Sequence, residues 1–111
     1  MFEKDRLAIL SIIEAIQKIH DYTYESSNAD EFYESQRDFD AAMMNFIIIG
    51  EMASRLSDDF IEQNNHIDWF KIRGFRNIIA HNYFGIDAEE VWQIIQNHTP
   101  RLLRDLENIL K

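Results

Sequence analysis

The segment Met43-Met-Asn-Phe-Ile-Ile-Ile-Gly50 constrains the fold of this chain more than any other. Wound into a helix, it is apolar nearly all the way round, and such a helix must be covered on more than one side. In a chain of 111 residues, that makes it a central bundle helix or a helix at a subunit interface. The pattern continues on both sides. Phe39, Met43, Phe46, Ile47, Gly50, Ala53 and Leu56 recur at spacings of three and four, predicting a helix from Gln36 to Leu56. Gly50 leaves room for a second backbone to come close, at about 1 kcal/mol of helix propensity. Glu51 ends the apolar run.

The rest of the chain has the same character. Three glycines and one proline leave few points at which a helix would have to stop. No window alternates as a strand does, and no Asn-Gly or Asp-Gly hairpin signal occurs. With 46% hydrophobic residues, a core is available to a domain that hides roughly 65% of its unfolded surface. The expectation is one all-α domain over residues 1–111, an antiparallel bundle of four to five helices.

The first helix is expected from Asp5 to Tyr24, with Leu7, Ile9, Leu10, Ile12, Ile13, Ile16 and Ile19 on its apolar face. Asn28 and Glu31 resemble a capping box opening a short turn, Ala29 to Glu34. Ser35 with Asp38 gives the same signal for the Gln36 helix. A further short turn fits Asp58 to Gln63. Asp68 can cap a helix from Trp69 to about His81, with Trp69, Ile72, Phe75, Ile78 and Ile79 toward the core. Asn82 to Ile86 is expected as a loop, with Gly85 its flexible point. Asp87 and Glu90 form another capping box for the last helix. Pro100 should break that helix near His98–Thr99 before it resumes from Pro100 to Leu110.

Charge and composition narrow the chemistry. The net charge of −9 opposes loose binding to nucleic acid, so either the partner is a basic protein surface or any nucleic-acid contact is local and uses a few arginines. With no cysteine, disulfides, thiolate metal sites and a cysteine nucleophile are excluded. The longest apolar run, Phe46 to Ile49, is too short to span a membrane. Met1-Phe-Glu-Lys-Asp-Arg6 lacks the layout of a secretory signal, so a cytoplasmic location is expected. No two histidines have helical metal-ligand spacing and no Gly-rich phosphate loop is present, so neither a metal nor another cofactor is expected.

One stretch, Arg73 to Asp87, gathers arginine, amide, histidine and tyrosine. On the Trp69 helix, Arg73, Asn77 and His81 are spaced four and four along one stripe, and Arg76 flanks it. A guanidinium fork suits phosphate oxygens, and imidazole exchanges protons near neutral pH. These parts suffice for RNA cleavage without a metal. The RNA 2′-hydroxyl attacks the neighbouring phosphate, His81 moves the proton, Arg76 stabilises the transition state, and Asn77 orients imidazole or phosphate. One histidine cannot readily act as base and acid at once, so a symmetric dimer is expected to bring two into one cleft.

Arg76-Asn77-Ile-Ile-Ala-His81-Asn-Tyr83 resembles the R-x4-H-x-Y signature of HepT-type proteins in the HEPN superfamily. The likeness extends through Ile49-Gly50-Glu51 with Leu56-Ser57, Ile67-Asp68-Trp69, Phe84-Gly-Ile-Asp87 with Val91-Trp92, and Pro100-Arg-Leu. It departs at Phe75, where methionine is common before the arginine, and in lacking a proline before Ile67. The resemblance implies an all-helical, dimeric toxin of a prokaryotic toxin–antitoxin pair, a metal-independent ribonuclease with its cleft at the dimer interface. It also implies an MntA-type nucleotidyltransferase antitoxin that transfers AMP from ATP to Tyr83. The added charge and bulk, two residues from His81, would oppose RNA entry.

Other roles for the same residues stand beside these. Arg76 and His81 could be an ordinary solvated helix face, with the histidine favoured by the helix dipole. Arg73 could pair with the acidic surface instead of phosphate. Glu51 could pair with Arg76 across the bundle or be an interface carboxylate. Tyr83, apart from the resemblance, is a half-buried loop tyrosine, and Trp69 and Trp92 are core anchors. His20, His66 and His98 are expected on the surface or at caps. The alternative function is a non-catalytic helical module that binds a nucleotidyltransferase partner through these arginines.

Overall fold

The computed structural model describes residues 1–111 as seven α-helices, one 3-10 turn and no strand. These are α1 (Glu3–Thr23), α2 (Ala29–Glu34), α3 (Gln36–Ala53), α4 (Asp58–Gln63), α5 (Trp69–His81), α6 (Ala88–Asn97) and α7 (Thr99–Ile109), with the 3-10 turn at Tyr83–Gly85. The two shortest, α2 and α4, have six residues each. The other five are long enough to act as bundle helices, in agreement with the expected architecture.

The all-round apolar helix is the central one. α3 packs most extensively on α1 and next on α5, while α2 lies on α6 and α7 closes back onto α1. Phe39, Ala42, Met43, Phe46, Ile49 and Ala53 of α3 are all buried, and they join Ile9, Ile12, Ile16 and Ile19 of α1 in one continuous core. Phe32 and Phe39 sit 5.1 Å apart, and Phe32 reaches Trp92 at 5.8 Å. That aromatic contact joins α2 and α6 to the end of α3. Trp69 and Trp92 are both buried, as core anchors.

The caps follow local sequence with one exception. Asn28 Oδ1 accepts from the Glu31 amide at 2.9 Å, and the Glu31 carboxylate returns to the Ser27 amide at 3.3 Å. Asp68 Oδ1 accepts from the Lys71 amide at 3.0 Å, and Asp87 Oδ1 from the Glu89 amide at 2.9 Å. Ser35 makes no side-chain cap; only its carbonyl enters the helix, accepting from the Phe39 amide at 2.8 Å. The expected break at Pro100 is present. α6 ends at Asn97, His98 lies between, and proline occupies the first turn of α7, where its missing N–H costs nothing.

Several expected core positions turn outward. Leu7 and Leu10 are 55% and 38% exposed, because α1 is covered along one stripe only. α3 stops at Ala53, and Leu56 is buried from the connection that follows. Ile78 of α5 is 56% exposed, since α5 packs on α3 along one side and its other side is open. Gly85 has no positive φ, and a Cβ there would meet only the end of the exposed Asn82 side chain, which can move aside. His20 is partly buried instead of free at the surface. Its Nε2 meets the Thr99 hydroxyl at 2.7 Å, and that hydroxyl donates to the Ile95 carbonyl at 2.8 Å. Burial pulls the His20 pKa below its usual value, against the raising effect of Asp21.

Asp5 was expected only to start α1. It is buried, and it accepts from the Ser57 amide at 2.8 Å and the Ser57 hydroxyl at 2.7 Å. Ser57 in turn caps α4 through the Phe60 amide at 3.2 Å. The first turn of the chain thus fixes the corner between α3 and α4. Asp5→Ala leaves that buried amide without its partner. It is expected to lower unfolding free energy by about 1–3 kcal/mol, read as a reduced urea midpoint with an unchanged m-value.

Candidate active site on helix α5 and the turn that follows

The start of α5 is held firmly. Trp69 is buried, donates its indole N–H to the Asn64 carbonyl at 3.1 Å, and meets Phe60 edge-on at 6.0 Å. One turn further on, Phe75 packs edge-on against Phe46 of α3 at 5.0 Å. The next side chain, Arg76, crosses the surface of α3 at Gly50. A Cβ on Gly50 would overlap Arg76 Cβ and lie 2.7 Å from Arg76 Cγ. The glycine therefore lets the stem of Arg76 lie flat on α3, as the close approach foreseen from the sequence requires.

From there the guanidinium is clamped. One Nη donates to Glu51 Oε1 in an ion pair, and the other donates to Asn77 Oδ1 at 2.9 Å. Glu51 and Arg76 are about equally exposed, at 38% and 37%, so the pair lies at the rim of the core. This resolves the role of Glu51 in the monomer in favour of pairing. The remaining donor, Arg76 Nε, is buried and has no partner.

Asn77 and His81 stand on the open side of α5, both exposed. With Phe70 and Gly74 they complete a stripe at spacings of four, three and four. Phe70 is 81% exposed, and a Cβ built on Gly74 meets nothing within 4 Å. Ile78 borders the same stripe. Arg73 is also exposed and joins none of the ion pairs of the chain. Arg76 and His81 are five positions apart, roughly 140° around a regular helix. Within one chain, then, they face different ways, and Asn77 connects the clamped arginine to the open stripe that carries the histidine.

Tyr83 lies in the 3-10 turn, half-buried. Its ring stands edge-on to Phe39 at 6.1 Å, and its hydroxyl donates to Asp40 Oδ1. Gln36 Nε2 donates to the same oxygen at 2.9 Å. Burial first, and then the bond to Asp40 and its charge, push the Tyr83 pKa well above the usual phenol range. Asp40 was not anticipated from the sequence. The available signal was its eleven-residue spacing from Glu51, which places both carboxylates on one face of α3 at about three turns' separation. The two pairs run in opposite directions, Glu51 with Arg76 and Asp40 with Tyr83, as antiparallel neighbours must. No three His, Asp or Glu side chains converge as a metal site, and no helix is long and apolar enough to cross a membrane.

Because the Gly50 contact sets the path of Arg76, Gly50→Ala should destabilise the protein despite the better helix propensity of alanine. Overpacking of this kind costs about 1–3 kcal/mol, against a propensity gain of about 1 kcal/mol. A fall in thermal midpoint, where propensity alone gives a rise, is the expected outcome in differential scanning calorimetry.

The family described as "Ribonuclease HepT-like" matches residues 12–109. The chain is 32% identical over 112 residues to "Putative RNase MJ0127" of Methanocaldococcus jannaschii, covering 100% of this chain and 92% of that one. It is 32% identical over 100 residues to "Gamma-glutamylcyclotransferase and putative RNase MJ0434" of the same organism, covering 90% of this chain and 45% of that longer one. It is 29% identical over 100 residues to "Probable ribonuclease HepT" of Thermococcus cleftensis, covering 90% of each. Comparison with solved structures gives no significant match. With its all-α, HEPN-like architecture and a family match across most of its length, the chain belongs to the HepT-like ribonuclease family.

Proposed function

We propose that this chain is the toxin of a toxin–antitoxin pair, an endoribonuclease that works without a metal and is silenced by AMP transfer to Tyr83. The observation that carries the proposal is the open stripe of α5. Catalytic-type groups, Asn77 and His81, share it with an exposed phenylalanine and an uncovered glycine. An apolar side chain as exposed as Phe70 beside polar chemistry suits a surface that a second copy covers. Gly74 would allow the two α5 helices to approach closely around a two-fold axis.

In that dimer, RNA lies across the seam. One His81 takes the proton from the 2′-hydroxyl as its oxygen bonds to phosphorus. The other His81 gives a proton to the 5′-oxygen as the P–O5′ bond breaks, leaving a 2′,3′-cyclic phosphate and a 5′-hydroxyl. Arg76, held by Glu51 and Asn77, is preorganised to meet charge that develops on the phosphoryl oxygens. Its two contacts restrict its motion before substrate arrives. DNA lacks the attacking hydroxyl and is expected to be inert.

The competing possibility, a non-catalytic module that binds a nucleotidyltransferase, draws on a specific observation as well. Glu51 already neutralises Arg76, and the chain carries a net charge of −9. The two separate on purified, unmodified protein and labelled RNA in EDTA. Wild type should cleave, and His81→Ala should lose about 10²-fold or more of the rate. Equal inertness of the two would favour the binding module. For the regulatory part, co-expression with an MntA-type nucleotidyltransferase should add the mass of AMP to the Tyr83 peptide. Tyr83→Phe should abolish that addition and leave the protein toxic in the presence of the partner.

A further inference from the structure

The hydroxyl proposed to receive AMP already has a carboxylate on it. Tyr83 Oη donates to Asp40 Oδ1, a side chain from a different helix, forty-three positions earlier in the chain. The geometry is fixed from two sides. Phe39 supports the tyrosine ring edge-on, and Gln36 Nε2 steadies the acceptor oxygen at 2.9 Å. The ionisable groups acting on the phenol are Asp40 and, more weakly, Tyr33 from α2. A nucleophile hydrogen-bonded to a base that a third group orients is the arrangement that activates hydroxyls elsewhere.

We infer that Asp40 is the general base for adenylyl transfer to Tyr83, so that the protein being modified supplies a catalytic group for its own modification. This builds on Tyr83 as the AMP acceptor. As Oη bonds to the α-phosphorus of ATP, the bond from that phosphorus to the bridging oxygen breaks and pyrophosphate departs. The phenolic proton passes to Asp40 and from there to water. A carboxylate is a weak base, but phosphoryl-type transfers ask mainly for orientation of the hydroxyl and late proton removal, as the catalytic aspartate of protein kinases provides. The need for such a base is greater here than for a free phenol. Burial and the neighbouring charge hold the Tyr83 hydroxyl protonated, so the phenolate is not a source of nucleophile near neutral pH. After transfer, a phosphodiester anion stands beside the recovered Asp40 carboxylate, and like-charge repulsion favours turning the nucleotide away from α3.

The test is the rate of modification against pH for wild type and Asp40→Asn, with an MntA-type nucleotidyltransferase and radiolabelled ATP. Asparagine keeps the size and an acceptor oxygen but cannot take the proton. The rate for wild type should rise less steeply with pH than that of the variant. The variant should be slower by about 10²-fold at neutral pH, and its rate should climb about tenfold per pH unit as phenolate forms. Recovery at high pH shows that the variant is folded and Tyr83 reachable, which a merely structural role for Asp40 does not produce. Parallel profiles, or equal rates, overturn the inference. A parallel arm uses adenosine 5′-phosphorimidazolide, which delivers the adenylyl group with imidazole as leaving group and needs no partner. There Tyr83 should react faster than Tyr24, which is 86% exposed, and Asp40→Asn should remove that advantage. If the enzyme leaves wild type unmodified, the AMP-acceptor role falls, while the imidazolide arm still decides Asp40. Tyr83 reacting no faster than Tyr24 overturns the base assignment.

Discussion

The contact between Gly50 and the stem of Arg76 is what the rest of the molecule depends on. Without a Cβ at position 50, α5 settles close enough to α3 for the guanidinium to reach Glu51 on the next residue of the same helix. That approach also sets the end of α5, and with it the turn that brings Tyr83 over Asp40. Two carboxylates on one face of α3 therefore hold the two ends of the motif, one through a cation and one through a phenol. Close packing makes this possible, because a methyl group placed at the crossing would be felt along the whole length of the interface.

A division of labour between the two sides of α5 follows. The side toward α3 holds the half-buried Arg76–Glu51 pair, bordered by Phe75 on Phe46, and Asn77 reaches that pair from the open side. The far side is open and carries Phe70, Gly74, Ile78 and His81. A partly buried ion pair contributes modestly to stability, since desolvation offsets much of its attraction. Its value here is geometric: it removes rotamer freedom from a long side chain that a substrate would otherwise have to order.

Much of this was legible in the chain. The all-round apolar run around Phe46 identified the central helix, because nothing else in a short chain can cover such a surface. Gly50 announced a close crossing, and Asp68, Asn28 and Asp87 marked helix starts through local hydrogen bonding. The misses share one physical origin. Periodicity tells which residues could be buried, not how many sides of a helix find neighbours, so Leu7, Leu10 and Ile78 were placed inward. Asp5 and Asp40 were invisible for a related reason. Their partners, Ser57 and Tyr83, are fifty-two and forty-three positions away, and a lone carboxylate on a helix reads as solvated until the tertiary neighbour is known. The candidate site was legible as a set of residue types, whereas its internal connections were not.

The joint between α6 and α7 sets an order of events during synthesis. The His20–Thr99 contact links positions seventy-nine residues apart, and α7 closes over α1. At about 5–20 residues per second on the ribosome, roughly 4–16 s pass between the appearance of those two residues. During that interval α1, α3 and α5 can pair while one flank of α1 stays wet. The contact of Arg76 with Glu51 can therefore form before α7 covers α1.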